Sequence, residues 1–229
     1  PMLNLRSGFS RNEGRIPDGI TGTGVVALIY AAMKDDRIMN GKINGNEIRI
    51  NRRISFTDDD LKQAGKAIGA IRAGHMTLMV EAGASPDEIS TMYMAGATGT
   101  YVDPLKAKEL GLVIPMCNRI FQVGNTSLEL AKDLAKDPCL LDELNSLRSR
   151  LVTKHTMFAS SENFSDLYVY ELGLWEKGMP ADRYKRTLEG YGLDGYLDMR
   201  TEAVVEKVCM KDIRDTGTGI TMFDTNVHM

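Results

Sequence analysis

Apolar positions change their period several times along this chain, and each change marks an element. Residues 25–34 are almost wholly apolar up to Lys34 and read as a helix entered from the glycine-rich turn Asp18-Gly-Ile-Thr-Gly-Thr-Gly24. Ile48 and Ile50 alternate with Arg49 and Asn51, the period of a half-buried strand over 47–54. Further on, Leu61, Ala64, Ile68, Ile71, His75, Leu78 and Ala82 recur at helical spacing and predict a long helix with one buried face. Thr57 suits its N-cap, and Asp58, Asp59 and Asp60 fill a first turn where the helix dipole favours anions. Gly83 suits its C-cap. Gly65, Gly69 and Gly74 interrupt this helix, each at a cost of up to ~1 kcal/mol relative to Ala. Their spacing therefore predicts the close approach of another helix or strand.

The middle of the chain alternates strand and helix. Residues 91–95 form a short apolar run that stops at Gly96, with Gly99 close behind and Pro104 opening a helix over 104–110, ended by Gly111. Residues 120–123 read as a second strand, and Gly124-Asn-Thr-Ser127 turns into a helix reaching 136. Turn chemistry at 40–45, a short helical turn at 85–88, a helix over 140–150, a strand over 151–158 and a short helix over 164–172 complete the pattern. Beyond Gly173 periodicity weakens around Trp175, Tyr184, Tyr191 and Tyr196, and 202–210 reads as one helix or strand. The expectation is an α/β layered domain over 1–172 and a C-terminal extension over 173–229.

Composition narrows the classes without choosing one. The 229 residues suffice for one substantial core, and a net charge of −3 offers no electrostatic case for nucleic acid or an anionic membrane. No apolar run approaches the ~20 residues of a membrane span. Cys117, Cys139 and Cys209 are far apart, which argues against a disulfide framework, a zinc knuckle or a four-cysteine cluster within the chain and favours a reducing, cytoplasmic setting. The 14 methionines read as core filler or as an adaptable contact surface. A start at Pro1 reads as that of an excised domain.

Three small-residue turns carry the candidate chemistry: Gly22-Thr23-Gly24, Gly96-Ala97-Thr98-Gly99 and Gly124-Asn125 with Thr126 and Ser127. Each sets glycine and hydroxyl residues at a helix start, where free N–H groups can meet an anion, or serves only as a tight connection. None is a Walker A loop or a strict Rossmann fingerprint. Asp58-Asp59-Asp60 could hold a cation, but a helix N-terminal acidic cluster accounts for it; no metal site is assigned. His75, His155 and His228 form no catalytic arrangement, and the catalytic residues stay unassigned.

Taken in order, four blocks carry a resemblance: Ile20-Thr-Gly-Thr-Gly-Val-Val-Ala-Leu-Ile-Tyr30, the capped glycine-bearing helix over 56–74, Met92-Tyr-Met-Ala-Gly-Ala-Thr-Gly-Thr-Tyr-Val-Asp-Pro104, and Val123-Gly-Asn-Thr-Ser-Leu128. Over residues 16–172 the chain resembles the C-terminal actin-like (ASKHA, ribonuclease H-like) region of ATP-dependent reductive activators of corrinoid proteins, of the methylamine methyltransferase type. The resemblance implies a nucleotide cleft between two subdomains, with ATP (and Mg in the full-length protein) driving reduction of a Co(II) corrinoid protein to Co(I). It implies 4Fe-4S clusters carried only outside this chain. Residues Gly96, Ala97, Thr98 and Gly99 resemble the adenosine motif, Gly124 and Asn125 the later turn on the hinge side, and Gly22, Thr23 and Gly24 a turn near the cleft.

The departures from the pattern matter equally. The family's phosphate-binding hairpins belong to sequence preceding this region, and Asp215-Thr-Gly-Thr-Gly219 falls in the wrong chain order to be one. The isolated chain is therefore expected to lack ATPase activity. Alternatives left open here are a non-catalytic interaction or oligomerisation module of actin-like fold, and a sugar- or acid-kinase-like relative. The expected partner is the corrinoid protein of a methyltransferase system, with no nucleic acid and no membrane; a homo-oligomer covering the bare cleft face is a further option.

Overall fold

The computed structural model describes residues 19–150, 155–196 and 202–208. Residues Cys209, His228 and Asp215–Gly219 lie outside them. The described residues open on helix α1 (Gly22–Lys34) and two β-hairpins, β1 (Ile38–Met39) with β2 (Lys42–Ile43) and β3 (Glu47–Arg49) with β4 (Ser55–Thr57). Asn40 and Gly41 turn the first hairpin with φ of 50° and 70°, left-handed values whose twist matches that of paired strands. The strand expected over 47–54 ends at Arg49 instead. Asn51 Oδ1 accepts from the Arg53 and Ile54 N–H groups, closing a side-chain turn that sends the chain back as β4.

Helix α2 (Asp58–Ala82), 25 residues long, has the predicted caps. Thr57 and Asp60 form a reciprocal capping box, and Gly83 ends the helix in the left-handed region at φ 64°. Asp59 pairs with Lys62 at 3.0 Å and Asp58 accepts from the Ile43 N–H at 2.9 Å, so each aspartate has a structural partner.

Its buried face is not the one expected. Leu61 and Ile68 are buried, but Ile71 and Leu78 are 45% and 48% exposed. The stripe that faces inward runs through Gly65, Gly69, Arg72, Ala73, Met76 and Met79. It receives α7 (Glu162–Lys177), which packs antiparallel to α2. A Cβ on Gly65 would stand 2.6 Å from Trp175 Cβ, and one on Gly69 would stand 2.9 Å from Glu171 Cβ. Near the other end Asn163 donates to Glu81 at 3.0 Å. The glycines thus permit the predicted close approach, and they rotate the buried face to do so.

Helix α7 also corrects the expectation for 164–172. It continues through Gly173, so the 172/173 boundary falls within a helix, and Trp175 is buried against the first hairpin and α2. Beyond it, α8 (Ala181–Gly190) places Tyr184 and Leu188 in the same core cluster as Met76 and Ile120, together with Leu193 and Tyr196. Of the strand expected over 151–158, residues 155–157 have no regular structure, and Phe158 begins a 3-10 turn, Phe158–Ser160. Phe158 stacks on Phe164 and abuts Gly74, which holds this segment as a plug over α2 rather than as a strand.

One three-stranded sheet, all parallel, lies on the far side of α2. Its order is β5 (Thr91–Ala95), β6 (Arg119–Gly124), β7 (Val204–Lys207). Short helices α3 (Gly96–Tyr101) and α4 (Pro104–Glu109) join β5 to β6. A helical pair, α5 (Thr126–Lys136) and α6 (Leu140–Arg150), follows β6 and has no buried residue. Two apolar clusters form the core, and α2 belongs to both: Leu61 and Ile68 to the hairpin side, Ala73, Met76 and Met79 to the sheet side. Met76, Met79 and Met116 are core filler, as expected, whereas Met33, Met39 and Met157 are exposed.

Candidate functional site

Two of the three sequence-predicted turns meet at the carboxyl ends of neighbouring parallel strands. Ala95, the last residue of β5, is in register with Gly124, the last residue of β6. The register shifts between Met94 and Ala95, an irregularity that re-aims the chain as it leaves the sheet. Gly96 and Gly124 then both take left-handed φ values, 86° and 74°. These angles bend each chain directly from strand into helix, where a Cβ-bearing residue would be strained. A Cβ on Gly96 would meet nothing within 4 Å, so the turn presents open backbone.

The first turn is tighter than the sequence suggests. Helix α3 starts at Gly96 itself, so Gly99 lies within a helix rather than in a loop before Pro104. Thr98 is exposed, and Thr100 donates back to the Gly96 carbonyl at 2.8 Å. Gly99 is needed for contact: a Cβ there would stand 3.1 Å from the Met94 carbonyl carbon. At the second turn Asn125 caps α5, its Oδ1 facing the Leu128 N–H at 3.4 Å. Helix α3 touches both β6 and α5, which closes the pair of turns into one edge.

Gly22, Thr23 and Gly24 have a different setting. They form the first turn of α1, which packs through Leu28, Ile29 and Ala32 into the hairpin-side cluster and against α4. Thr21 caps the helix by accepting from the Gly24 N–H at 3.1 Å, and its hydroxyl also meets that of Thr23 at 3.1 Å. A Cβ on Gly24 would stand 2.8 Å from Ile20 Cγ2. Gly24 is therefore required by local packing, while Gly22 faces open space.

Sequence reasoning passed over Gln122, the buried centre of β6. Its Nε2 donates to the Gly99 carbonyl at 3.0 Å and to the Val102 carbonyl at 3.1 Å. A six-residue helix is too short to be stable alone, and its last carbonyls lack intrahelical partners. Gln122 supplies partners to two carbonyls at that end. The available signal was an amide at an inward position of an otherwise apolar strand, where a buried polar group needs a partner.

On the opposite face of the sheet, Tyr93 stacks on Phe121 with centroids 5.1 Å apart, and Arg119 lies over Phe121 while pairing with Glu206 at 2.8 Å. Beneath the sheet, burial pushes the Cys117 thiol up, while Lys108 nearby opposes that shift. Burial likewise lowers the Lys108 pKa; its ammonium donates to the Cys117 carbonyl at 2.6 Å. Among the described residues no group of three or more His, Cys, Asp and Glu side chains could hold a metal ion. None of their helices is long and apolar enough to cross a membrane.

Glycine turns set side by side at the carboxyl ends of parallel strands place this chain among α/β proteins, with both turns on one edge of the sheet. The family follows from comparison with known proteins. A family described as the C-terminal domain of RACo, the ASKHA domain, matches residues 4–185, and the chain belongs to it. Its fold is accordingly the α/β, actin-like one that the resemblance implied. The chain is 40% identical over 202 residues to the "[Co(II) methylated amine-specific corrinoid protein] reductase" of Methanosarcina barkeri. That alignment covers 88% of this chain and 37% of the relative, so the chain spans well under half the length of the curated protein it matches. No solved structure matches it significantly.

Proposed function

We propose that this chain is the nucleoside-binding side of an ATP-dependent activator that reduces a Co(II) corrinoid protein to Co(I). The observation that carries the reading is the register pair Ala95–Gly124, which sets the Gly96–Gly99 and Gly124–Asn125 turns along one edge. It gains its chemical meaning from the 40% identity to a protein named as a corrinoid protein reductase.

The residues present suit one end of ATP. Gly96, Ala97, Thr98 and Gly99 would lie against the nucleoside, with the open backbone at Gly96 allowing close approach. Gly124 and Asn125 would border it from the hinge side, and Gly22, Thr23 and Gly24 would sit near the cleft mouth. ATP, when bound with Mg, supplies the free energy of hydrolysis for an unfavourable one-electron reduction. This chain's part is to bind the nucleoside and to change its contacts as the cleft closes, since only binding energy that differs between two states can shift an equilibrium. Phosphate and Mg ligands, and the 4Fe-4S clusters that deliver the electron, are assigned to the remainder of a longer polypeptide. The partner is the corrinoid protein whose cobalt accepts that electron.

The test uses the complete gene product with its corrinoid partner, following the cobalt spectrum anaerobically under a low-potential reductant. Co(I) is expected to accumulate with ATP and not with a non-hydrolysable analogue. Equal Co(I) with and without ATP would overturn the reading.

A further inference from the structure

We propose that Gln122 is a positioning residue for nucleotide binding: it fixes the Gly96–Gly99 turn from beneath, through the far end of the helix that carries it. The inference rests on the nucleoside-side reading above and adds the device that holds that wall in place.

Four observations converge on it. Gln122 is 5% exposed and sits on the central strand, in register with Met94 just before the turn. The sheet register shifts immediately beyond that pair, which frees the chain from the regular ladder at the point where a ligand would approach. Helix α3 is six residues long and cannot hold its own geometry by backbone bonds. Its end is instead secured by two bonds from one amide, 3.0 Å to Gly99 and 3.1 Å to Val102.

The geometry makes the amide group difficult to replace. Both acceptors are backbone carbonyls, so the residue at 122 must offer two N–H donors from one planar group at the reach of glutamine. A carboxylate of the same shape offers none and would face two carbonyl oxygens. An apolar side chain of similar length would leave both carbonyls with lost partners, and the helix would be free to tilt about Gly96. The Gly96 and Gly99 backbone would then no longer be preorganised for a nucleotide, and affinity would fall by the cost of reordering it.

The complete gene product is titrated with ADP as wild type, Gln122→Met and Gln122→Glu, with melting temperature and backbone hydrogen exchange measured on each. Wild type is expected to bind ADP, and Gln122→Met to bind it about tenfold more weakly, as the loss of two hydrogen bonds, one of them buried, implies. Exchange is expected to quicken over 96–102 and to stay unchanged in α2. Gln122→Glu is expected to bind ADP more weakly at neutral pH and to recover part of the loss at lower pH, where a protonated carboxyl again donates. Should Gln122→Met fail to fold, the pH dependence of ADP affinity in Gln122→Glu decides the matter: a loss constant with pH overturns the proposal. A lower melting temperature with ADP affinity unchanged in both variants would show a structural role only and would overturn it. Failure of wild type to bind ADP would instead overturn the nucleoside-side reading, and this inference with it.

Discussion

Gly65 and Trp175 occupy one another's space: the indole-bearing Cβ stands 2.6 Å from where a Cβ on Gly65 would be. Helices α2 and α7 can approach this closely at Gly65 and Trp175 only because one of them lacks a side chain there. Gly65→Ala gains helix propensity of up to ~1 kcal/mol, but overpacking of this kind costs about 1–3 kcal/mol. The substitution is expected to lower stability, and thermal denaturation should show a fall in Tm of a few degrees. A Tm equal to or above that of the native sequence would mean that α7 does not pack here.

Arg72 and Glu171 form an ion pair of 3.1 Å inside the same helix contact, with Tyr184 hydrogen-bonded to both. Burial pushes the Glu171 carboxyl up, while Arg72 pulls it down. Burial also opposes the charge on Arg72, but Glu171 and the tyrosines overcome it and keep the guanidinium firmly charged. Removing one partner leaves the other buried and uncompensated. Arg72→Met is therefore expected to cost about 3–5 kcal/mol in chemical denaturation, and the double variant Arg72→Met/Glu171→Leu to recover part of it.

His75 supplies a pH dependence of definite sign. Burial lowers its pKa below the ordinary 6.5, and its Nδ1 has no hydrogen-bond partner. Below pH 6.5 the unfolded chain binds a proton that the folded one resists, so His75 makes stability fall as pH drops through that range. Its contribution is complete above 6.5. His75→Gln should flatten the stability profile between the ordinary histidine pKa and the depressed folded value, as read from urea midpoints across pH.

Cys117 and Cys139 should differ in reactivity. The former is buried with its thiol raised in pKa, and the latter is exposed. Maleimide labelling of the folded protein is expected to modify Cys139 at once and Cys117 only after unfolding, as peptide mass spectrometry would show.

The caps of α2, the central strands β5 and β6 and the glycine exits at Gly96 and Gly124 were legible in the sequence because they are local. Thr57, Asp60 and Gly83 bound α2 as expected, and β5 spans the predicted residues. The buried face of α2 was not legible, because hydrophobic spacing selects Ile71 and Leu78 while the partner helix requires Gly65 and Gly69. That choice depends on α7, whose length was itself misread by treating Gly173 as an end. Gly173 lies inside a helix whose contacts with α2 and the first hairpin outweigh the propensity cost of one glycine. At the candidate site the two glycine turns could be named from sequence, but not their adjacency, which follows from strand register. Gln122 could be noticed as an inward-facing amide in β6, but not its partners, which lie 20 and 23 residues away.

Hydrogen exchange of the complete gene product, with and without saturating ADP, tests the nucleoside-side assignment most directly. ADP is expected to slow exchange over 95–102 and 124–128 together, while the amides of α6 stay unchanged. Protection confined to other parts of the polypeptide, with both turns unaffected by bound ADP, would contradict it.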